Sequence, residues 1–223
     1  MKPLDVVDLF YETADGVIHC EQIEARRATQ MERELALNVL YAAARTLNAR
    51  RMAPEGKELD VCYLFVEEPP ARIAEAIRAA GGRLQVREGR SDPMDTRREV
   101  QTGRLIEIVE DAFAELADET SREHGVTFDL DGLRRLQQSI AAEASSDEAQ
   151  WEGAMRLGGF GGELVRRQRG WGWGLSEVGI FPFGIVFRSD GREGVANVLD
   201  RALRFLRGKE DVATLVERLL ALA

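Results

Sequence analysis

Two runs rich in β-branched and aromatic residues open the chain, DVVDLFYET and GVIHCEQIE, joined at Ala14-Asp15-Gly16. Asp-Gly supplies the positive φ values of a tight turn, so the pattern predicts a β-hairpin. From Ala25 to about Arg50 the period changes. Ala28, Met31, Leu35, Val39, Ala42 and Leu47 recur every three or four residues while Arg26, Glu32, Arg33 and Arg45 take other faces, which predicts one long amphipathic helix. Pro54 and Gly56 break it. Leu59 to Val66 is then nearly continuous in apolar residues, as central strands are. Pro69-Pro70 starts a helix over 71–80 that stops at Gly81-Gly82, and Arg83 to Glu88 resumes as a strand, giving a β-α-β unit.

The stretch 89–93 (GRSDP) separates a strand from a long helix and is the best place for a domain edge, dividing an α/β part over 1–90 from an α+β part over 94–223. That long helix is expected from Asp95 to Glu123, with Val100, Leu105, Ile108, Ala112, Phe113 and Leu116 on one face. A second follows, with an N-cap carboxylate offered by Asp129-Leu130-Asp131 and a buried face of Leu133, Leu136 and Ile140. A third begins at Ser145-Ser146-Asp147-Glu148 and runs towards Arg169. Beyond it, Val178 to Phe187 reads as a strand interrupted by Pro182, and two helices, about Glu193 to Leu206 and Glu210 to Leu222, close the chain. The fold class is therefore α+β: a hairpin and β-α-β half, then a helix-rich half with a short sheet.

Composition narrows the function classes. With 223 residues, 44% apolar and 31% charged, the chain belongs with globular proteins, in one large domain or two small ones. A net charge of -9 argues against a general nucleic-acid binder, because phosphate contacts draw on Lys and Arg. Cys20 and Cys62 both lie in apolar strand-like runs, which fits reduced buried thiols and a reducing compartment. The first residues carry no secretory signal and no run of 18 apolar residues occurs, so a cytoplasmic, non-membrane protein is expected.

Ten of the 21 glycines and all three tryptophans fall between Trp151 and Phe187. Gly158, Gly159, Gly161 and Gly162 have neither the Walker register nor the G-x-G-x-x-G spacing, so close packing of a helix explains them better than a phosphate cradle. Glu163 stands i, i+3 from Arg166 and i, i+4 from Arg167, which offers an ion pair. Arg166 and Arg167 with Trp171 and Trp173 could stack on and neutralise an anionic partner. The plainer reading is a helix C-terminus decorated with cations. His19 and Cys20 alternate to opposite faces of a strand, and His124 closes a helix; neither histidine sits in a nucleophile or metal-ligand motif, so no catalytic residue, metal or cofactor is assigned.

The segments HGVTFDLDGLRRLQQSI, LGGFGGELVRRQRGWGW, FPFGIVF and VANVLDRALRFL carry a likeness. Gly159, Phe160, Gly162, Glu163 and Arg166, followed by Trp171 or Trp173, form a Gly-aromatic-x-Gly-Glu-hydrophobic-x-Arg helix before a Trp-containing strand. Over roughly residues 100–223 the chain resembles a broad group of bacterial domains of no settled activity. The resemblance implies a compact α+β domain and nothing more chemical. Two function classes follow from the residues: a non-catalytic interaction or adaptor protein with a protein partner, anchored by Trp and Arg; or a small-ligand or nucleotide enzyme sited between the two halves, using Glu163 and the arginines with an acid from the N-terminal half. A regulatory or immunity-type role fits the first by class, that of a small acidic bacterial protein without chemistry, and not by any residue. The first is favoured, because no reactive constellation accompanies Glu163.

Overall fold

The computed structural model describes residues 5–8, 21–24, 28–52, 60–87, 89, 91–92, 99–189, 191–208 and 210–222. The Ala14-Asp15-Gly16 turn, His19 and Cys20, and Pro54 and Gly56 lie outside the described residues. Two compact units divide the chain at Val109 and Glu110, whereas the break in composition lies at 89–93.

The first unit holds a four-stranded sheet in the order β1-β2-β3-β4. Strand β1 (Asp5–Asp8) is antiparallel to β2 (Glu21–Glu24), as a hairpin requires, and β2, β3 (Val61–Phe65) and β4 (Gly82–Val86) run parallel. Strand β3 is interior to the sheet, which accounts for its unbroken apolar sequence. Helix α3 (Ala71–Ala79) makes the β-α-β crossover and buries Ile73 and Ile77. The helix expected from Ala25 to Arg50 is two helices, α1 (Ala28–Arg33) and α2 (Leu35–Arg51), broken at Glu34, where ψ reaches 38°. Buried Asn38 explains the break, since its side-chain amide donates to the carbonyls of Met31 at 3.3 Å and Glu34 at 3.0 Å. Deeper in, the Tyr63 and Thr46 hydroxyls lie 2.7 Å apart, and Thr46 donates to the Ala42 carbonyl, so no hydroxyl of this pair is left unbonded.

Helix α4 (Thr102–His124) contains the division between the units. The second unit adds α5 (Leu130–Glu143), α6 (Asp147–Arg169), a three-stranded antiparallel sheet of β5 (Gly172–Leu175), β6 (Phe183–Ser189) and β7 (Arg192–Ala196), then α7 (Val198–Leu206) and α8 (Val212–Ala221). Side-chain caps start four of these helices: Asp129 accepts from the Gly132 amide, Ser146 from Ala149, Asn197 from Asp200 and Asp211 from Ala213. Two expectations are corrected. Val178 to Pro182 is a loop, not strand, and residues 193–196 pair with β6 as strand instead of opening a helix, because Asn197 caps a helix that starts only at Val198.

Helix α6 is the axis of this unit and packs against α5, α7, α8, β5 and β6. Its glycines lie mid-helix, not at the helix end; Gly170, with φ 67°, is the left-handed C-cap. They open the helix in several directions. A Cβ on Gly158 would sit 2.8 Å from the Leu199 Cα of α7, one on Gly159 3.1 Å from the Phe113 ring of α4, and one on Gly162 would overlap the Trp173 indole. Each helical glycine costs about 0.5–1 kcal/mol relative to alanine. Backbone-close packing on several sides offsets that cost.

Candidate functional site

Glu163 is fully buried on α6, with none of its surface exposed. Its position i, i+3 from Arg166 brings the Arg166 Nε to 2.8 Å from Oε1, and the same oxygen accepts the Trp173 indole N–H at 2.9 Å. Arg167, one residue on, holds its Nε 3.5 Å from Oε2, an ionic contact without hydrogen-bond geometry, and Oε2 accepts no hydrogen bond among the described residues. A buried carboxylate is costly unless paired. Here two guanidinium groups and one indole supply the pairing. The hydrogen bond to Glu163 raises the Arg166 pKa, so this cation stays charged at every physiological pH.

Trp173 is held by both its N–H groups. Its ring N–H goes to Glu163 and its backbone N–H to Glu110 Oε1 of α4 at 2.8 Å. Its ring stacks on Phe113 at 3.8 Å between centroids, inclined 14°, and only 3% of the residue is exposed. Because Trp173 faces Ile185 across the ladder as a pair whose backbone groups turn outward, Glu110 occupies one outward amide on the free edge of β5. Arg167 reaches Asp118 at 2.8 Å and lies 3.9 Å over the Phe128 ring, which itself stacks on Phe160.

The sequence-derived candidates therefore separate into two places. Glu163, Arg166, Arg167 and Trp173 meet at the junction of α6 and β5. Trp171 does not join them; it lies beneath Arg169, 4.9 Å from guanidinium carbon to ring, beside Phe187, while Arg169 donates to the Leu222 carbonyl at 2.6 Å. Gly158, Gly159, Gly161 and Gly162 serve packing. The chemistry of the first group is charge neutralisation around a buried carboxylate that pins a strand to two helices. His124 contacts Ser139 Oγ through Nδ1 at 2.9 Å, between α4 and α5. Among the described residues no three His, Cys, Asp or Glu side chains gather as a metal site, and no helix is long and apolar enough to cross a membrane.

A different feature faces outward. The loop joining β5 to β6 carries Val178, 80% exposed, and Ile180, 46% exposed. Its backbone is fixed from below. Asn197 Nδ2 donates to the carbonyls of Val178 at 3.2 Å and Phe181 at 2.7 Å, Asp200 Oδ1 accepts the amides of Ile180 and Phe181, and Ser176 Oγ donates to the Val178 carbonyl. Phe181 anchors the loop against Trp151, ring centroids 4.8 Å apart. Gly179 has φ 98°, and a Cβ there would fall on the Asp200 carboxylate, so only glycine fits between the two apolar residues. Reading 178–187 as one strand hid this loop. The signal was present in Gly179, in Pro182, and in the Asn197-x-x-Asp200 spacing of a helix cap. Glu110 left no signal, since it is one acid among several on α4.

No family model, curated protein or solved structure matches the chain.

Proposed function

We propose that the chain is a non-catalytic protein of the bacterial cytoplasm that works by binding a protein partner, in an adaptor, regulatory or immunity-type role. One observation carries the reading: Val178 and Ile180 stand in solvent on a loop whose backbone is already hydrogen-bonded into one conformation. Burying such a side chain contributes about 1.5–3 kcal/mol. A pre-ordered loop gives up little conformational entropy on binding, so more of that contribution appears as affinity. The packing of Glu163 and Trp173 also favours this reading over a small-ligand enzyme, because the carboxylate and indole are engaged with each other. The likeness of residues 100–223 to bacterial domains of no settled activity, and the buried thiol of Cys62, which forms no disulfide, accord with the proposed setting.

Photo-crosslinking in producing cells tests it. A photoreactive residue replacing Val178 is expected to yield one discrete protein adduct, and the same residue at exposed Gln138 none. Equal adducts from both positions, or a metabolite that raises the melting temperature while position 178 captures nothing, would overturn the reading in favour of a ligand-binding protein.

A further inference from the structure

Strand β7 leaves one edge of the second unit's sheet open. Ser189 pairs with Arg192 across a two-residue connection, so that pair is hydrogen-bonded, and the alternation of an antiparallel ladder then fixes the rest. Arg192, Gly194 and Ala196 turn their backbone groups to β6. Glu193 and Val195 turn theirs outward, and among the described residues nothing bonds to them. The opposite edge differs, since Glu110 occupies one outward amide of β5, that of Trp173. An open edge is a template for an added strand, and proteins that do not use one commonly cover it.

The surroundings say what kind of strand fits. Val195 is 41% exposed, and its face continues onto Val186, its cross-strand partner. Asn197, two residues beyond Val195, holds the Val178 carbonyl, which sets the Val178-Ile180 loop at the Ala196 end of β7. Of the large apolar side chains that stand exposed among the described residues, three lie here: Val178, Ile180 and Val195. The acids beside them are Glu177, exposed next to Val178, and Glu193, which among the described residues pairs with exposed Arg188, while the other cation of β7, exposed Arg192, belongs to the opposite face of the strand. An exposed ion pair of that kind is worth about 0–1 kcal/mol and exchanges readily. Two copies of the chain, each at -9, repel one another, and a self-paired β7 centred on Gly194 would set Glu193 opposite Val195 without a counter-charge.

We infer that the outer edge of β7 receives an extended segment of a basic protein partner, in which a Lys or Arg stands two residues from an apolar side chain and so shares its face, the segment ending against the Val178-Ile180 loop. Main-chain bonds form at Glu193 and Val195, an apolar side chain covers Val195, and the cations meet Glu193 and Glu177. This inference rests on the protein-partner reading and specifies its surface.

The test uses the whole chain and the heptapeptide Thr-Lys-Thr-Val-Thr-Lys-Thr, whose lysines share the face of the central valine, followed by amide chemical shifts. The Glu193 and Val195 amides are expected to shift and to become protected from exchange. The glutamate counterpart of the peptide should leave them unmoved. Val195→Pro removes an outward N–H, which an edge strand tolerates, together with the isopropyl group the segment covers, and should weaken binding at least about tenfold, the size of a lost backbone hydrogen bond. A peptide N-methylated at its central valine should bind equally poorly and leaves the protein untouched. Shifts absent at millimolar peptide, shifts confined to other elements, equal binding of the acidic peptide, or concentration-dependent dimerisation lost in Val195→Pro would each overturn the inference. A discrete adduct at position 178 alongside a silent β7 edge would sink this surface assignment while leaving the partner reading standing.

Discussion

Replacing Gly162 by alanine isolates the packing that organises the second unit. A Cβ at this position would land on Cζ2 and Cη2 of Trp173, closer than real carbon contacts come. Trp173 cannot move aside freely, because its ring is stacked on Phe113 and both its N–H groups are bonded. Gly161, one residue earlier, is the control: its Cβ would meet Val198 Cγ1 and Val216 Cγ2 at 3.3 Å, which small side-chain shifts relieve. Both substitutions gain about 1 kcal/mol of helix propensity. Overpacking costs about 1–3 kcal/mol, and freeing the indole N–H from Glu163 about 1–3 more. Gly162→Ala is therefore expected to lose roughly 1–5 kcal/mol, and Gly161→Ala to stay within about 1 kcal/mol of the parent. Urea unfolding followed by far-UV circular dichroism and by tryptophan fluorescence measures both. Equal midpoints for the two variants would refute the wedge of Trp173 against bare α6 backbone.

Further expectations concern the polar contacts. Glu163→Gln leaves Arg166 and Arg167 without their buried anion and should cost about 2–3 kcal/mol in the same assay; an unchanged midpoint would show that the carboxylate organises nothing. Asn197→Ala removes a helix cap and the two Nδ2 hydrogen bonds to the β5–β6 loop, so it should cost about 1 kcal/mol and speed proteolysis at residues 177–181, which would stay resistant if the Ser176 and Asp200 bonds sufficed to hold the loop. Two caps set an acid limb. At Asp211 burial raises the carboxyl pKa, but hydrogen bonds from Gln137, Thr214 and the Ala213 amide outweigh it, and at Asp129 the Thr127 hydroxyl and Gly132 amide lower it, so both lie below the ordinary 3.8. Groups depressed in the folded state contribute stability that is complete above 3.8 and is lost as pH falls through their folded values. The double variant Asp129→Asn and Asp211→Asn should flatten melting temperature against pH below about 4, and an unaltered curve would assign the acid limb elsewhere.

Periodicity made the helices legible because each buries a stripe: Leu133, Leu136 and Ile140 in α5 are one example, and the Asp129 and Ser146 caps fall within the stretches 129–131 and 145–148 that offered several capping side chains. It failed where a single side chain overrides local preference. Asn38 interrupts the α1–α2 stretch by taking two carbonyls, an effect that no apolar period reports. Strand β7 carries only Val195 and Ala196 as apolar residues, so it lacks a pattern of its own and exists through its ladder with β6. At the site, the Glu163, Arg166 and Arg167 spacing was readable because helix geometry dictates it. Trp173 and Glu110 were not readable as partners, since they come from β5 and α4 and only tertiary packing brings them together.

The glycines of α6 also decide how the second unit can move. Gly153, Gly158, Gly159, Gly161 and Gly162 face Ile140, Leu199, Phe113, Val198 and Trp173 respectively. A slip of one residue would turn the helix by about 100° and drive Phe160 into a gap cut for a bare Cα. The helix is thus keyed like a shaft in its housing, with no second notch to click into. A signal crossing this unit would have to travel by way of its rim, while the axle stays still.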